Sequence, residues 1–192
     1  MAPDDPVDVP ARTDRLLLTA PRREDLDDVF ALYSDPQVWE HLPAGRHTDR
    51  THTALLLQRI RDSWDAAGLG SWVARLAGGP DAGRLVGTGG CDLRLGVTWN
   101  LSYRLHRRDW GHGYASELAA AAIGAARRLH PDVPVTAYLL EHNARSAAAA
   151  ERAGLHLQWR GPDAGNPDPD AVRLLYADRP LSRVVLELLT AT

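Results

Sequence analysis

Hydrophobic and polar positions follow two different periods along this chain, and each change of period marks a new element. The block Arg15-Leu16-Leu17-Leu18-Thr19 is short and apolar and predicts a buried strand, ended by Pro21. Over residues 22–34, Leu26, Val29, Phe30 and Tyr33 recur at spacings of three and four, predicting a helix with one apolar face. Asp35-Pro36 closes it, because a residue before proline is pushed out of the α region. A second helix is expected over 49–67, with Leu56, Ile60 and Trp64 on one face and Gly68 at its end. Residues 71–76 and 84–94 predict a hairpin that turns at Gly78-Gly79-Pro80-Asp81. From 98 to 106, Trp99, Leu101, Tyr103 and Leu105 alternate with Asn100, Ser102, Arg104 and His106, the period of a strand.

Residues 107–113 lose the period and read as a loop. Residues 114–128 are alanine-rich and predict a helix, with Leu118, Ala122, Ala125 and Leu129 on one stripe. A strand over 133–140 and a helix over 143–152, stopped by Gly154, come next. Strands over 155–160 and 172–176 flank the turn-rich segment 161–170, and residues 181–189 are compatible with a final strand or a short helix. The order is strand, two helices, three strands, helix, strand, helix, two strands. It predicts a mixed α/β domain on one sheet, with no internal repeat. Residues 1–11, acidic and proline-rich, are expected to be a flexible tail before a single domain over 12–192.

Composition narrows the partners. At 192 residues, 44% hydrophobic and 24% charged, the chain buries a core without disulfide staples. Its one cysteine, Cys91, excludes an intrachain disulfide and a cysteine zinc cluster, and reads as a small buried apolar residue. A net charge of −3 gives no overall attraction to nucleic acid or to an anionic membrane. No stretch reaches the roughly 18 apolar residues of a membrane span, and the start lacks the basic and apolar regions of a signal peptide. A cytoplasmic protein is therefore expected. All 22 basic residues are arginine, a coding bias that points to a GC-rich bacterial genome.

The run Leu105 to Ser116, LHRRDWGHGYAS, carries the clearest chemistry. A strand ends, Gly111 and Gly113 follow, and a helix begins. Backbone N–H groups of such a turn converge with the free N–H groups of the helix start, where the helix dipole is positive. Glycine leaves no side chain between the backbone and an anion. Arg107 and Arg108 add charge, so the segment predicts a pyrophosphate cradle. A dinucleotide fingerprint would place a third glycine where Ser116 stands, and an acidic residue at a strand tip, whereas Asp132 follows a helix and a loop. A second polar run, Glu141-His142-Asn143-Ala144-Arg145-Ser146, follows a strand and opens a helix. Asn143 and Ser146 there are compatible with simple helix capping and with a polar edge beside an extended ligand.

Four segments in order resemble the GNAT superfamily of N-acetyltransferases, within it the RimJ/RimL-like ribosomal-protein alanine acetyltransferase group. They are Thr13-Asp14-Arg15-Leu16-Leu17-Leu18; Asp25 with Leu32-Tyr33-Ser34-Asp35-Pro36-Gln37-Val38; the run Arg108 to Glu117; and Asn143-Ala144-Arg145-Ser146 with Ala153-Gly154-Leu155. The resemblance covers about residues 13–180. It implies a GNAT fold, a twisted mixed sheet of about six to seven strands flanked by about four helices, with two central parallel strands splayed apart. It implies acetyl-CoA as cofactor, its pantetheine arm beside Leu105, His106 and Arg107 and its pyrophosphate on the N–H groups of Arg108, Trp110, Gly111, His112, Gly113, Tyr114, Ala115 and Ser116. Asn143 would bond the pantetheine side, and Ser146 would hand a proton to the leaving thiolate.

The base is less well marked. RimL-like enzymes can carry an acidic residue where this chain has His106-Arg107-Arg108. His106 and Glu141 are the candidates, ahead of Asp92 and His142, with a water chain as the alternative. Acceptor pockets of the family come from the segments matching 39–50 and 161–170, here holding His41, Arg46 and His47, and Asp163, Asp168 and Asp170. The implied activity is acetyl transfer to a primary amine, a protein N-terminus or a small molecule, by direct attack. The alternative is a non-catalytic acyl-CoA-binding sensor or interaction module on the same fold. A homodimer is left open.

Overall fold

The computed structural model describes residues 11–164 and 166–191. The strands are β1 (Ala11–Arg12), β2 (Leu16–Thr19), β3 (Ser71–Leu76), β4 (Leu85–Arg94), β5 (Thr98–Leu105), β6 (Val135–Leu140), β7 (His156–Pro162) and β8 (Val172–Ala177). The helices are α1 (Leu26–Ser34), α2 (Arg50–Ala67), α3 (Tyr114–Leu129), α4 (Ala144–Arg152) and α5 (Arg183–Thr190). One sheet runs β1-β2-β3-β4-β5-β6-β8-β7, antiparallel except for β5 beside β6. The mixed GNAT-type sheet is as expected. Counted among the described residues, it has eight strands and five helices, because a two-residue β1 pairs with β2 and the C-terminal segment is helical. The expected tail lies outside the described residues except Ala11, which β1 absorbs.

Side chains alternate across β3, and its neighbours show two cores. Val73 joins Val29, Leu32, Val38, Trp39, Leu57 and Leu85 under α1 and α2. Trp72 and Ala74 join Leu16, Leu101, Leu105, Leu118, Ala122 and Val135 on the side of α3. The predicted stripes are displaced by one position in three helices. In α1, Val29 and Leu32 are buried, while Phe30 lies beneath the guanidinium of Arg50. In α2 the buried positions are Thr53, Leu57 and Ile60 rather than Leu56. In α3, Ala126 replaces Ala125 and Leu129 is exposed. Residues 23–25 form a 3-10 turn because the buried Asp25 carboxylate accepts the Arg22 N–H at 2.7 Å and an Arg75 N–H at 2.8 Å. Residues 183–190 become a helix under a serine cap, Ser182 Oγ accepting the Val185 N–H at 3.3 Å.

The feature that matters most is where β5 leaves β6. Their ladder holds only Trp99↔Val135 and Asn100↔Thr136. β6 continues against β8 to Leu140, and β5 continues against β4 to Leu105. The two strands therefore splay beyond Asn100, as expected. His106 N–H donates to Val86 O of β4, and Trp99 N–H to Pro134 O on the other side. By this alternation the backbone groups of Tyr103 and Leu105 face the gap.

Candidate active site

The loop after β5 is rigid at its base. Residues 107–109 make a 3-10 turn, and the Asp109 carboxylate, buried, takes two N–H bonds from Arg84, each 2.8 Å. That bidentate pair ties the loop to the start of β4. Gly111 and Gly113 both have positive φ, 80° and 81°. A Cβ at Gly111 would meet nothing within 4 Å, so glycine is required there by its backbone and leaves open space above. Gly113 is the N-cap of α3, with no side-chain cap, and the first helical bond is Glu117 N–H to Gly113 O at 3.1 Å. The amides of Tyr114, Ala115 and Ser116 thus lie ahead of the first helical bond, at the positive end of a helix of 16 residues.

Two residues set this loop from outside it. Glu117 accepts the Arg15 N–H at 2.9 Å, its Nε–H at 2.7 Å and the Thr13 hydroxyl. Arg15 also donates to His112 O at 2.8 Å and lies 4.7 Å over the Tyr114 ring. The turn before β2 is thereby fastened to the first turn of α3. Thr13, Arg15, Glu117 and Asp109 stand inside the segments read from sequence, but without these partnerships, and nothing local marks Arg84. Arg108 is exposed, and a cavity of about 360 Å³ opens between it, Arg84 and Tyr114.

At the gap itself, Leu105 O accepts the Trp110 indole N–H at 3.0 Å. The guanidinium groups of Arg107 and Arg145 both pack on the indole ring, at 5.1 and 4.9 Å. It forms a wall joining β5, the loop and α4. Asn143 caps α4, its Oδ1 accepting the Ser146 N–H at 3.2 Å. Asn143 is thus the helix cap, and Ser146 supplies the capped N–H, which leaves its hydroxyl outside the cap. The Ser146 side chain also interacts with the hydroxyl of Tyr103, a residue the sequence reading did not single out for chemistry. Burial pushes that phenol up, which keeps it protonated.

The candidate bases separate. Burial, and then the nearby Arg108 charge, push His106 below the usual imidazole value, so it is neutral near pH 7. Glu141 offers no free carboxylate. Arg160 holds both oxygens, at 2.6 and 2.9 Å, and that hydrogen bonding takes its pKa below the usual range, which argues against a base there. Asp92 faces Asn100 at the closed end of the gap and accepts two bonds from Ser71, at 3.0 and 2.7 Å. His142 is bonded through Nε2 to His41 O at 2.8 Å. Of the acidic residues in 161–170, Asp163 is neutralised by Arg173, with bonds of 2.7 and 2.6 Å.

Comparison with known proteins agrees with this geometry. The family model described as "Acetyltransferase (GNAT) domain" matches residues 15–156. Among solved structures, a GnaT-family acetyltransferase from Bordetella pertussis superposes with a TM-score of 0.73 at 22% identity, over 88% of this chain and 98% of the other. An acetyltransferase from Agrobacterium tumefaciens gives 0.68 at 26% identity, over 86% and 92%. RimL, the ribosomal L7/L12 alpha-N-protein acetyltransferase, in a structure with coenzyme A, gives 0.72 at 16% identity, over 88% and 96%. No helix among the described residues is long and apolar enough to cross a membrane, and none of their His, Cys, Asp and Glu side chains group as a metal site.

Proposed function

The chain belongs to the acetyltransferase (GNAT) domain family, and on that premise we propose that it transfers an acetyl group from acetyl-CoA to a primary amine. The observation that carries this reading is the β5/β6 gap opening directly beside an uncapped helix start behind Gly111 and Gly113. Acetyl-CoA supplies the thioester acetyl group that the amine attacks. Tyr103 and Leu105 offer strand-edge backbone groups to an extended arm. The amides of residues 111–116, with Arg107 and Arg108, hold its pyrophosphate. The open space at Gly111 and the absence of a side-chain cap are the features that fit such a group.

Ser146, backed by the protonated Tyr103, is the proton source on the α4 side, and neutral His106 at the end of β5 receives a proton from the acceptor ammonium, directly or through water. Among family groups the reading extends to RimJ/RimL-like acetyltransferases of a bacterial cytoplasm, supported by the four ordered sequence segments. The test is acetyl-CoA titration by calorimetry, wild type beside Gly111→Glu, with thiol release followed over an amine and peptide panel. Binding lost in the variant and thiol released with any amine supports the reading. Binding without release transfers the weight to an acyl-CoA sensor, and no binding overturns both.

A further inference from the structure

On the face of β5 away from Tyr103 and Leu105 lies an arginine with no counter-charge. Arg75, Arg84 and Arg173, all part-buried, each meet a carboxylate, at 2.8, 2.8 and 2.6 Å. Arg104 meets none among the described residues. Its contacts are Val38 O at 3.3 Å, the Tyr33 hydroxyl, and the face of Trp39, 3.5 Å from the guanidinium carbon to the ring centroid. A desolvated cation without an anion is costly, and cation–π contact offsets only about 2 kcal/mol of that. A second polar group beside it is also unanswered. Trp39 is 6% exposed, and its indole N–H is buried without an acceptor.

Carboxylates nearby act on other groups, Asp49 on His47 and Asp35 on His106, and none among the described residues pairs with Arg104. His41 stacks on Trp39, His47 packs tilted against Tyr33, and both imidazoles are held below their usual pKa, by burial first. The Arg104 charge contributes to both shifts, so its guanidinium acts on two rings that are themselves held neutral. Asp163, the nearest argument for a cationic acceptor in the opposite loop, is spent on Arg173. Arg104 and His106 are two residues apart on one strand face, a separation of roughly 7 Å.

We propose that Arg104 and the Trp39 indole N–H form a carboxylate subsite, and that the acceptors of this protein are primary amines bearing a carboxylate a few atoms from the nitrogen. Naming the acceptor class in this way rests on the acetyl-transfer reading above. The carboxylate anchors on Arg104 and leaves the amine at the end of β5, near His106. The same fixed charge favours the unprotonated amine, since a cation close by lowers an ammonium pKa. One chemistry covers two sources, a free amino acid and a peptide N-terminus followed by an acidic residue.

Calorimetry on the CoA-loaded protein tests this without requiring turnover. The probes are alanine against alaninamide, and alanyl-aspartyl-leucinamide against alanyl-asparaginyl-leucinamide, each followed for thiol release with acetyl-CoA. At least one carboxylate member binds about tenfold or more tighter than its neutral partner, the scale of a charge-assisted hydrogen bond, and the pair that responds identifies the source. Arg104→Gln removes that preference, Arg104→Lys restores part of it, and acetyl-CoA affinity stays as in wild type in both. Equal binding within both pairs, a preference for the neutral members, or no acceptor binding overturns the subsite. Arg104-dependent binding with no thiol release retains the subsite and overturns acetyl transfer. Should Arg104→Gln fail to fold, the wild-type pairs and Arg104→Lys still decide.

Discussion

Asp109 shows how one side chain sets a functional loop. Its carboxylate is 3% exposed at the residue level and meets Arg84 with two 2.8 Å bonds. Asp109→Asn leaves Arg84 facing a neutral amide. Removing one partner of a buried pair costs about 3–5 kcal/mol, and the part-exposed Arg84 side chain reduces the expectation here to roughly 2 kcal/mol. Urea unfolding is expected to show that loss together with weaker acetyl-CoA binding, because the turn before Gly111 loses its anchor. Unchanged affinity in a destabilised variant would confine Asp109 to a structural role. His41 gives a pH prediction. Burial lowers its pKa from 6.5 to about 4. As pH falls through 6.5 the unfolded chain takes up a proton that the folded chain refuses until about 4. The unfolded state then binds more protons, so stability declines between these values. A urea midpoint series from pH 7 to 4 should fall more steeply for wild type than for His41→Gln. At Ser146, replacement by alanine should lower kcat by about 100-fold or more if the hydroxyl is the proton source. An unchanged kcat would remove Ser146 from the chemistry.

Helix α3 shows which parts of an element were readable and which were not. Its start was legible because Gly111 and Gly113 interrupt the β5 alternation and alanine follows, and both glycines do adopt positive φ. Its buried stripe was misjudged by one position because alanine is compatible with every face, and only packing against β4 and β5 chooses among them. The fastening of its first turn was not legible at all. Glu117 meets Arg15 across 102 positions of sequence, and no local pattern encodes such a pair. The same holds for Tyr103 with Ser146, brought together only when α4 crosses the end of the gap. Glu117→Gln therefore makes a specific prediction. The helix retains its dipole and its packing, while the turn before β2 is released from the loop. Acetyl-CoA affinity should fall several-fold with a stability loss near 1 kcal/mol, the scale of a part-exposed ion pair. A stability loss with no change in affinity would show that the fastening serves folding alone.

At the scale of the whole molecule, the parallel contact of β5 and β6 explains the location of the site. Six of the seven neighbouring strand pairs are antiparallel, whereas the one parallel pair, β5 with β6, meets at two positions. A sheet edge opened inside a fold leaves N–H and C=O groups unpaired by protein, and such groups favour a ligand that completes the ladder. The loop 107–113 and the start of α4 converge on the same opening from either side, so strand-edge groups, helix-start amides and the Ser146 hydroxyl share one gap. Hydrogen exchange can test that arrangement as a unit. On addition of acetyl-CoA, protection should rise at Tyr103 and Leu105 and across residues 111–116. It should stay unchanged at Trp99, whose N–H already donates to Pro134 O at 2.9 Å, and in β2 and β3. Protection confined to the loop would mean that the pyrophosphate is held but that nothing enters the strand gap. Protection spread evenly over the sheet would mean general stabilisation by a ligand bound elsewhere. Only the selective pattern ties the open ladder to cofactor binding, and it does so without depending on which amine the protein acetylates.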